Sequence, residues 1–301
     1  DKITYIIGTD KDVPAPDVNT TPEIMDWLMD QYSKNIAKQT GQPFKKIYGV
    51  VTGKPVGKGG SLGRGRATAR GMQVALEEAA KDLNIDLSKA RIVVQGYGNA
   101  GMNFAKFMYD EHGSKIICVS DSKGAIYNAD GLNPHEVEKW KEEKSPKKSV
   151  VDYPGAKSIP ESDMYGIECE VWAPSALEGV ITKDTAPKLK TKVLVEGANG
   201  ATTNDADRIM HKNGVFRIPG ILANGGGVTV SCFELQQNLE NPDCVPEKQW
   251  SEEYVDKKLK THMVSAYRST KEMYDKHKVS MGLSVYLVSV DRIAKAVKSK
   301  M

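Results

Sequence analysis

The apolar residues of this chain recur at changing intervals, and these intervals predict alternating helices and strands. Between residues 67 and 83 they return every three or four positions, as on one face of a helix. Residues 91–95 instead form a short β-branched run that is typical of a buried strand. Further short apolar runs follow at residues 115–119, 170–174, 192–196 and 215–219. Because parallel strands need crossovers that are usually helical, this order predicts a mostly parallel sheet covered on both faces.

The amino-terminal part predicts one helix and one link. Thr21 followed by Pro22 is typical of a helix start. The side chains expected on one apolar face of that helix are Ile24, Trp27, Leu28 and Tyr32. Residues 49–66 are dominated by glycine and lysine, which predicts a flexible link between domains.

Three further elements are predicted after the second strand. Residues 123–131 resemble a hairpin with Asp130 and Gly131 as its turn, and residues 134–144 predict a helix. Residues 251–300 contain two long helical patterns that are interrupted near residues 279–282.

A glycine-rich turn follows the first strand directly, and residues 102–109 behind it predict a helix. In a Gly-x-Gly-x-x-Gly turn, the first glycine permits a tight turn and the second lets backbone N–H groups approach a pyrophosphate. The third lets the helix pack closely on the strand. The predicted cofactor-binding residues of this turn are Gly96, Gly98, Asn99, Ala100 and Gly101. The alternative is a tight strand-to-helix connection without a ligand.

An acidic residue stands where such a turn requires one. The strand at residues 115–119 runs into Ser120 and Asp121, about twenty residues past the glycines, where a ribose hydroxyl needs an acceptor. Asp121 favours the free 2′-hydroxyl of NAD, whereas Ser122 and Lys123 could bind the 2′-phosphate of NADP. We expect NAD, with NADP as the open alternative. The order of these features predicts a doubly wound, Rossmann-like α/β domain.

Composition and charge argue against a nucleic-acid-binding, membrane or metal-binding protein. The 301 residues carry 42 basic and 39 acidic side chains, a net charge of +3, mixed along the sequence, so we expect no nucleic-acid partner. No apolar stretch approaches the roughly 20 residues that span a bilayer, so we expect no membrane partner. The 4 cysteines and 5 histidines lack metal-ligand spacing, which favours a reducing, cytoplasmic setting without a metal. The first residues are neither an initiator nor a signal peptide, so we expect a truncated beginning.

Several loops carry a family resemblance. They are residues 14–20 (Pro-Ala-Pro-Asp-Val-Asn-Thr), 52–64 with Ala67 and Thr68, 96–101, 120–124, 196–200 and 224–231. In this order they resemble the glutamate dehydrogenase family, which includes the leucine, phenylalanine and valine dehydrogenases. The resemblance runs over nearly the whole chain.

This resemblance implies a domain organisation. Residues 1–60 would be the remnant of a substrate domain with a linker, residues 61–235 the dinucleotide-binding domain, and residues 236–301 helices that pack back toward the substrate domain. Family members carry a preceding substrate domain with a glycine-flanked catalytic lysine, which the sequence before Asp1 does not supply. The chain therefore resembles a truncated member. Family members form hexamers, which makes a homo-oligomer the expectation, although its state stays open here.

The resemblance also implies chemistry. Oxidative deamination moves a hydride from the substrate Cα to the nicotinamide and leaves an iminium that water attacks, so a carboxylate near the amine is useful. Asp17 matches the family's proton-handling aspartate and is the candidate catalytic residue; the alternative is a solvated turn aspartate. Ser231 matches the family's hydroxyl for the distal carboxylate of the substrate.

Three further residues, together with Asn99 of the glycine turn, match cofactor contacts of the family. Thr68 and Asn99 match positions on the nicotinamide side, and Asn199 and Asn224 lie on loops expected at the cofactor's edge. A hydroxyl and an amide can hydrogen-bond a carboxamide or a ribose. The alternative for these residues, and for Ser231, is helix capping or turn formation.

Three functions stay open at this point. The first is interconversion of L-glutamate with 2-oxoglutarate and ammonium. The second is a dinucleotide-binding fragment without turnover of its own. The third is a dehydrogenase for leucine, valine or phenylalanine, although residues 59–64 resemble the glutamate branch more closely.

Overall fold

A computed structural model describes residues 3–17 and 20–300 of the chain. Asp1 and Lys2 of the predicted cut beginning, and Val18 and Asn19 of the 14–20 motif, lie outside the described residues. All candidate site residues lie within them.

The chain divides into two units, each continuous in space but not in sequence. Unit 1 comprises Asp1–Ala67 and Gly227–Leu259, and unit 2 comprises Thr68–Gly226 and Lys260–Met301. The domain limits inferred from the family resemblance, at residues 60 and 235, stay a prediction.

Helices occupy much of both units. In chain order they are α1 (Pro22–Thr40), α2 (Ala67–Leu83), α3 (Asn99–His112), α4 (Pro134–Lys139), α5 (Glu161–Met164), α6 (Asn204–Lys212), α7 (Gly220–Ala223), α8 (Gly226–Glu240), α9 (Glu252–His277) and α10 (Met281–Lys298). The predicted helix at residues 67–83 and the predicted break between the last two helices are confirmed. A π-helical turn, Trp140–Lys144, extends α4 over the rest of its predicted length.

Unit 2 is built on a single sheet. Its strands are β1 (Arg91–Gln95), β2 (Lys115–Asp121), β3 (Gly124–Leu132), β4 (Lys157–Ile159), β5 (Glu168–Pro174), β6 (Lys190–Val195) and β7 (Phe216–Ile218). Among the described residues the strand order is β4-β3-β2-β1-β5-β6-β7. The four pairings from β2 through β1, β5 and β6 to β7 are parallel, and β3 runs antiparallel to β2 and β4. The strand order reverses at β1, and ligands of open α/β sheets bind at such a switch point.

The residues of β1 alternate between the two faces of this sheet. Ile92 and Val94 belong to one buried cluster, and Val93 belongs to a second cluster together with Cys118 and Trp172. Both faces therefore need cover, because apolar side chains point away from the strand in both directions. The predicted doubly wound, mostly parallel α/β architecture is confirmed.

The predicted turn at Asp130 and Gly131 is wrong. The two strands β2 and β3 instead turn between Asp121 and Gly124, which pair with each other, and Gly131 lies inside β3. The register of this pair shifts between Ile116 and Cys118, opposite the end of β3 that contains Gly131. An Asp-Gly pair therefore marks an irregularity within a strand here, as glycine commonly does.

The predicted buried face of α1 is also wrong. Trp27 is 67% exposed, whereas Met25 and Met29 are 1% and 0% exposed. The two methionines pack in one cluster with Val50 and Val51, which Tyr32 only borders. Since α1 has apolar residues on two faces, the partners from the following loop decide which face is buried. The N-cap prediction is confirmed, because the Thr21 hydroxyl accepts from the Ile24 N–H.

Residues 49–66 do not form the flexible link that their glycine content predicts. Thr52, Lys54 and Ser61 are 3%, 4% and 2% exposed, and Val50 and Val51 are completely buried. This segment, called the 49–66 loop below, is packed inside unit 1.

The four cysteines divide between exposed and buried positions, and all are free thiols. Cys118 on β2 and Cys169 on β5 pack in the same buried cluster. Burial raises the pKa of both thiols, that of Cys169 to about 12. Cys232 on α8 is exposed, and Cys244 is half-buried.

Candidate functional site

The glycine turn of unit 2 joins β1 to α3 as the sequence predicts. Gly96 has φ +92°, a left-handed conformation that favours glycine, and a Cβ there would lie 2.7 Å from the backbone nitrogen of Ala176. A Cβ on Gly101 would overlap the carbonyl oxygen of Gly96 and approach Val94 to 3.0 Å. Both glycines are therefore required by close packing of strand, turn and helix.

Gly98 has the opposite surroundings. A Cβ built on it meets no atom of the described residues within 4 Å. Gly98 is the N-cap of α3, and no side chain caps this helix end. Gly98 and Asn99 are exposed and Ala100 is half-buried at the positive end of this 14-residue helix, where the first N–H groups have no acceptor within the helix itself. This arrangement fits a pyrophosphate, which needs N–H donors and room for the backbone to come close.

Asp121 ends β2, next to β1, with its carboxylate hydrogen-bonded on both oxygens. Oδ1 accepts from the Lys123 backbone N–H at 3.0 Å and from the Ser149 hydroxyl at 2.8 Å. Oδ2 accepts from the Val150 N–H at 2.8 Å. Ser122 and Lys123, the candidates for a 2′-phosphate, are exposed in the turn that follows.

The structure brings the two predicted asparagines of the cofactor edge together. The Asn224 amide donates to the Asn199 side-chain oxygen at 2.6 Å and to the Gly197 carbonyl at 3.2 Å. Asn224 follows α7, and the loop of Asn199 follows β6. Because both side chains are tied to each other, these two loops present one polar edge.

A buried ion pair fixes those two loops. Glu196 is 0% exposed and accepts from Arg217 Nε at 2.9 Å, from Arg217 Nη2 at 3.0 Å and from the Gly220 N–H at 2.7 Å. Burial alone would lower the pKa of Arg217, but the bonds to Glu196 and Asp207 raise it above its ordinary value. Arg217 therefore stays charged, and its bidentate bond to Glu196, together with the Gly220 N–H bond, anchors the end of β6 to the start of α7.

Thr68 and Asn99 do not occupy helix-capping positions. Thr68 is the second residue of α2, and Asn99 is the first residue of α3 after the Gly98 cap. The Asn99 side-chain oxygen accepts from Asn103 one helical turn later, at 3.0 Å. The capping alternative does not apply to either residue, and their role toward a cofactor stays a prediction.

The candidate catalytic residue Asp17 lies in unit 1, and its backbone is hydrogen-bonded to Thr20. Its N–H donates to the Thr20 hydroxyl at 2.6 Å, and its carbonyl accepts from the Thr20 N–H at 3.0 Å. The segment before it is fixed to the 49–66 loop, because Thr52 N–H donates to the Pro14 carbonyl at 2.9 Å. Asp17 itself is exposed. An exposed carboxylate on a fixed backbone can exchange protons with a substrate or with water.

Ser231 is held by an arginine that sequence reasoning did not identify. Arg64 Nε donates to the Ser231 hydroxyl oxygen at 2.9 Å, and Ser231 is 5% exposed. Burial lowers the pKa of Arg64, and the charge of Glu234 opposes that shift. A guanidinium beside a hydroxyl offers donors to an anionic group such as a carboxylate.

Glu234, one helical turn after Ser231, organises the loop that carries Arg64. Its carboxylate accepts from Lys54 Nζ at 2.6 Å, and both side chains are 0% exposed. It also accepts from the N–H groups of Gly53 at 3.0 Å and of Lys54 and Ser61 at 3.3 Å. Burial lowers the pKa of Lys54, and the opposite charge of Glu234 works against this shift. The Glu234 carboxylate thus binds three residues of the 49–66 loop, Gly53, Lys54 and Ser61.

The loop in turn supports Asp17. Gly53 has φ +79°, and a Cβ there would overlap the ring of Pro16. Arg64, Lys54 and Glu234 were missed because their partners lie far away in sequence. The available signal was a charged residue one helical turn after Ser231, on a helix with otherwise uncharged neighbours.

The described residues show neither a metal-binding cluster nor a membrane-spanning helix. Within residues 3–17 and 20–300, no cluster of three or more His, Cys, Asp or Glu side chains could bind a metal ion. In the same described part of the chain, no helix has the length and apolar character to cross a membrane.

Comparison with known proteins agrees with this geometry. The family model for glutamate/leucine/phenylalanine/valine dehydrogenases matches residues 59–300, and the model for the dimerisation domain of the same enzymes matches residues 1–34. The chain belongs to this dehydrogenase family. The family resemblance seen in the sequence is confirmed.

Individual family members are similar over the whole chain. A glutamate dehydrogenase of Thermotoga maritima is 40% identical over 99% of this chain and 68% of its own length. A catabolic NAD-specific glutamate dehydrogenase of Bacillus subtilis is 40% identical over 98% of this chain and 65% of its length. The hetero-hexameric glutamate dehydrogenase of Thermus thermophilus, in its Leu-bound form, superposes with a TM-score of 0.87 at 28% identity, covering 100% of this chain and 67% of that one. The chain thus spans about two thirds of the length of these relatives.

Proposed function

We propose that the chain binds NAD at the Gly96–Gly101 turn and belongs to a glutamate dehydrogenase that interconverts L-glutamate with 2-oxoglutarate and ammonium. The observation that carries the proposal is the open, uncapped start of α3 above Gly98, between two glycines that packing requires. Relatives named as NAD-specific glutamate dehydrogenases support both the cofactor and the substrate.

Unit 2 would hold the cofactor. The N–H groups that follow Gly98 would bind the pyrophosphate, and Asp121 would accept a hydrogen bond from the adenine ribose. Asn199 and Asn224, together with Thr68 and Asn99, would supply polar contacts to the remainder of the dinucleotide. Bound NAD would supply a nicotinamide ring that accepts the hydride from the substrate Cα.

Unit 1 would handle the substrate's protons. The Asp17 carboxylate would accept a proton from the substrate amine or from the water that attacks the iminium. The Asp17 backbone is fixed by Thr20 and by the contact of Pro16 with Gly53, so the carboxylate needs little reorganisation before it acts.

Arg64 and Ser231 would bind the distal carboxylate of glutamate. A half-buried guanidinium that already donates to a hydroxyl is costly to leave beside an apolar side chain, because its donors lose their water. The pair therefore favours glutamate over leucine, valine or phenylalanine.

Three finer proposals rest on the resemblance and the composition. NADP is the secondary cofactor, which Ser122 and Lys123 would tolerate. The protein forms a homo-oligomer, a hexamer as in the family. The free state of all four cysteines supports a reducing, cytoplasmic setting.

The test begins with binding. Calorimetric titration of the 301-residue chain with NAD should give saturable binding, and a Gly98→Ala variant should bind at least tenfold more weakly. Absence of binding to the folded wild-type chain would contradict the proposal. Formation of NADH should then be measured with glutamate, leucine, valine and phenylalanine.

The substrate assignment has its own matched pair of variants. Arg64→Gln should reduce turnover with glutamate by roughly tenfold to a hundredfold, since a charged hydrogen bond is worth about 1.5–3 kcal/mol. Arg66→Gln, in the same short segment but paired with Glu252 at 2.6 Å, should change it little. An equal loss in both variants would argue against a role for Arg64 at the substrate.

The second function that the sequence leaves open is a dinucleotide-binding fragment. On this alternative it binds NAD without turnover. Saturable NAD binding with no NADH formed from any of the four amino acids is the result that would support it.

A further inference from the structure

The Asp121 carboxylate has nearly all its acceptor positions filled by its own chain. An ionised carboxylate offers about four lone-pair positions on its two oxygens. Three are taken by the N–H groups of Lys123 and Val150 and by the Ser149 hydroxyl, at 2.8–3.0 Å. One position is left, and it lies on Oδ2, which has a single donor.

The Ser149 hydroxyl is buried and fully hydrogen-bonded. The residue is 0% exposed. Its hydroxyl hydrogen is donated to Asp121, while its oxygen accepts from the Val151 N–H at 3.1 Å. Its own N–H donates to the Ser145 hydroxyl at 3.2 Å. A buried hydroxyl with both functions engaged cannot turn to another partner without loss.

We propose that Ser149 is a positioning residue for cofactor recognition, which fixes the Asp121 carboxylate so that its remaining acceptor position receives the 2′-hydroxyl of the adenine ribose. The inference rests on the proposed binding of NAD. Ser149 lies 28 residues after Asp121, in a segment that no motif of the family resemblance includes.

The same arrangement opposes NADP. A 2′-phosphate brings acceptor oxygens and negative charge to a carboxylate that can only accept. The N–H groups of Lys123 and Val150, together with the buried Ser149 hydroxyl, already donate to Asp121 and are not available to a phosphate. Ser149 therefore contributes to the choice of cofactor without touching it.

The test compares NAD with its analogue that lacks the adenosine 2′-hydroxyl. The wild-type chain should bind NAD more tightly than the 2′-deoxyadenosine analogue. Ser149→Ala should weaken NAD binding by about threefold to tenfold, the size of one lost hydrogen bond, and leave the analogue within about twofold. Isothermal titration of both ligands measures the ratio directly and needs no turnover.

Ser114→Ala is the matched control. Ser114 is also buried, at 1% exposure, and its hydroxyl donates to the Leu87 carbonyl at 2.7 Å, just before the opposite end of β2. Its removal should cost similar stability and leave the ratio of the two affinities unchanged. A purely structural role for Ser149 would give the two variants the same ratio.

The other outcomes of these titrations distinguish failure of the proposed function from failure of the inference. If the folded wild-type chain binds neither ligand, the proposed function fails and the inference with it. If it binds both equally, or if Ser149→Ala weakens both equally, NAD binding stands and the inference is overturned. Should Ser149→Ala not fold, Ser149→Cys, with a weaker donor of similar size, is measured instead. An unchanged ratio in that variant also overturns the inference.

Discussion

The two candidate sites are built in different ways. In unit 2, six consecutive residues form the Gly96–Gly101 turn, and the candidate binding site is made by their backbone conformation. In unit 1, the Lys54–Glu234 pair joins residues 180 positions apart, and one buried carboxylate holds a whole loop. A local turn is robust to distant changes, whereas a site assembled by one ion pair depends on that pair. The contrast predicts where each unit fails.

The largest effect is expected from breaking the buried pair. Glu234→Ala leaves three buried backbone N–H groups without this acceptor and leaves the buried Lys54 ammonium with only the Val51 carbonyl. The free energy of unfolding should fall by roughly 3–5 kcal/mol, measured by chemical denaturation. Glu240→Gln, on the exposed end of the same helix, is the control and should cost less than about 0.5 kcal/mol. A loss below about 1 kcal/mol for Glu234→Ala would show that the loop does not depend on it.

Gly101→Ala should have the next largest effect. Its Cβ would overlap the Gly96 carbonyl oxygen, so α3 must move away from β1. We expect a loss of about 1–3 kcal/mol in stability, as in other overpacked positions, together with weaker NAD binding. Thermal unfolding followed by circular dichroism and an NAD titration measure the two effects. If Gly101→Ala were as stable as the wild type, the turn would accommodate the added methyl group without a loss of packing.

Gly98→Ala separates stability from binding. The added methyl group enters open space and the backbone conformation, φ −92° and ψ −165°, is accessible to alanine. The melting temperature should therefore stay close to that of the wild type. NAD binding should weaken at least about tenfold, or 1.4 kcal/mol, because the methyl group occupies the place of the pyrophosphate. Parallel losses of stability and binding would contradict the distinction from Gly101.

The smallest effect concerns a partly exposed ion pair and its dependence on pH. Burial would raise the pKa of Glu78, but hydrogen bonds from Lys81 and Arg268 lower it below its ordinary value of 4.5. The stabilisation is therefore present above pH 4.5 and is lost as the pH falls through the lower pKa of the folded state. Glu78→Gln should remove roughly 1 kcal/mol or less at neutral pH, since Arg268 is half exposed. Its stability relative to the wild type should recover in acid; a constant difference would rule out titration of Glu78.

The sequence revealed most where signals were contiguous. The Gly96–Gly101 turn, the helices at residues 67–83 and after Gly98, and the acid at the end of β2 were all predicted because neighbouring residues carry the information. The glutamate dehydrogenase family was recognisable for the same reason, since its motifs are short loops.

Other features depended on partners that a linear pattern does not reveal. The buried face of α1 was decided by Val50 and Val51, and the rigidity of the 49–66 loop by Glu234. Arg64 and Ser149 were not predicted because each is linked to a candidate site residue by a hydrogen bond across a long stretch of sequence. The Asp130 turn failed because strand pairing placed Gly131 within β3. For α1, the 49–66 loop and the Asp130 turn, the local sequence preference was overridden by contacts with other elements.

Because two cysteines are buried in the sheet and one is exposed, their reactivity can report local unfolding of the sheet. A thiol reagent should modify the exposed Cys232 of unit 1 rapidly. The buried thiols of Cys118 and Cys169, whose pKa values are raised, should react only when the sheet of unit 2 opens. Timed alkylation followed by mass spectrometry would thus report the opening of the nucleotide-binding sheet without an introduced label, and a bound dinucleotide should slow modification of the inner pair alone.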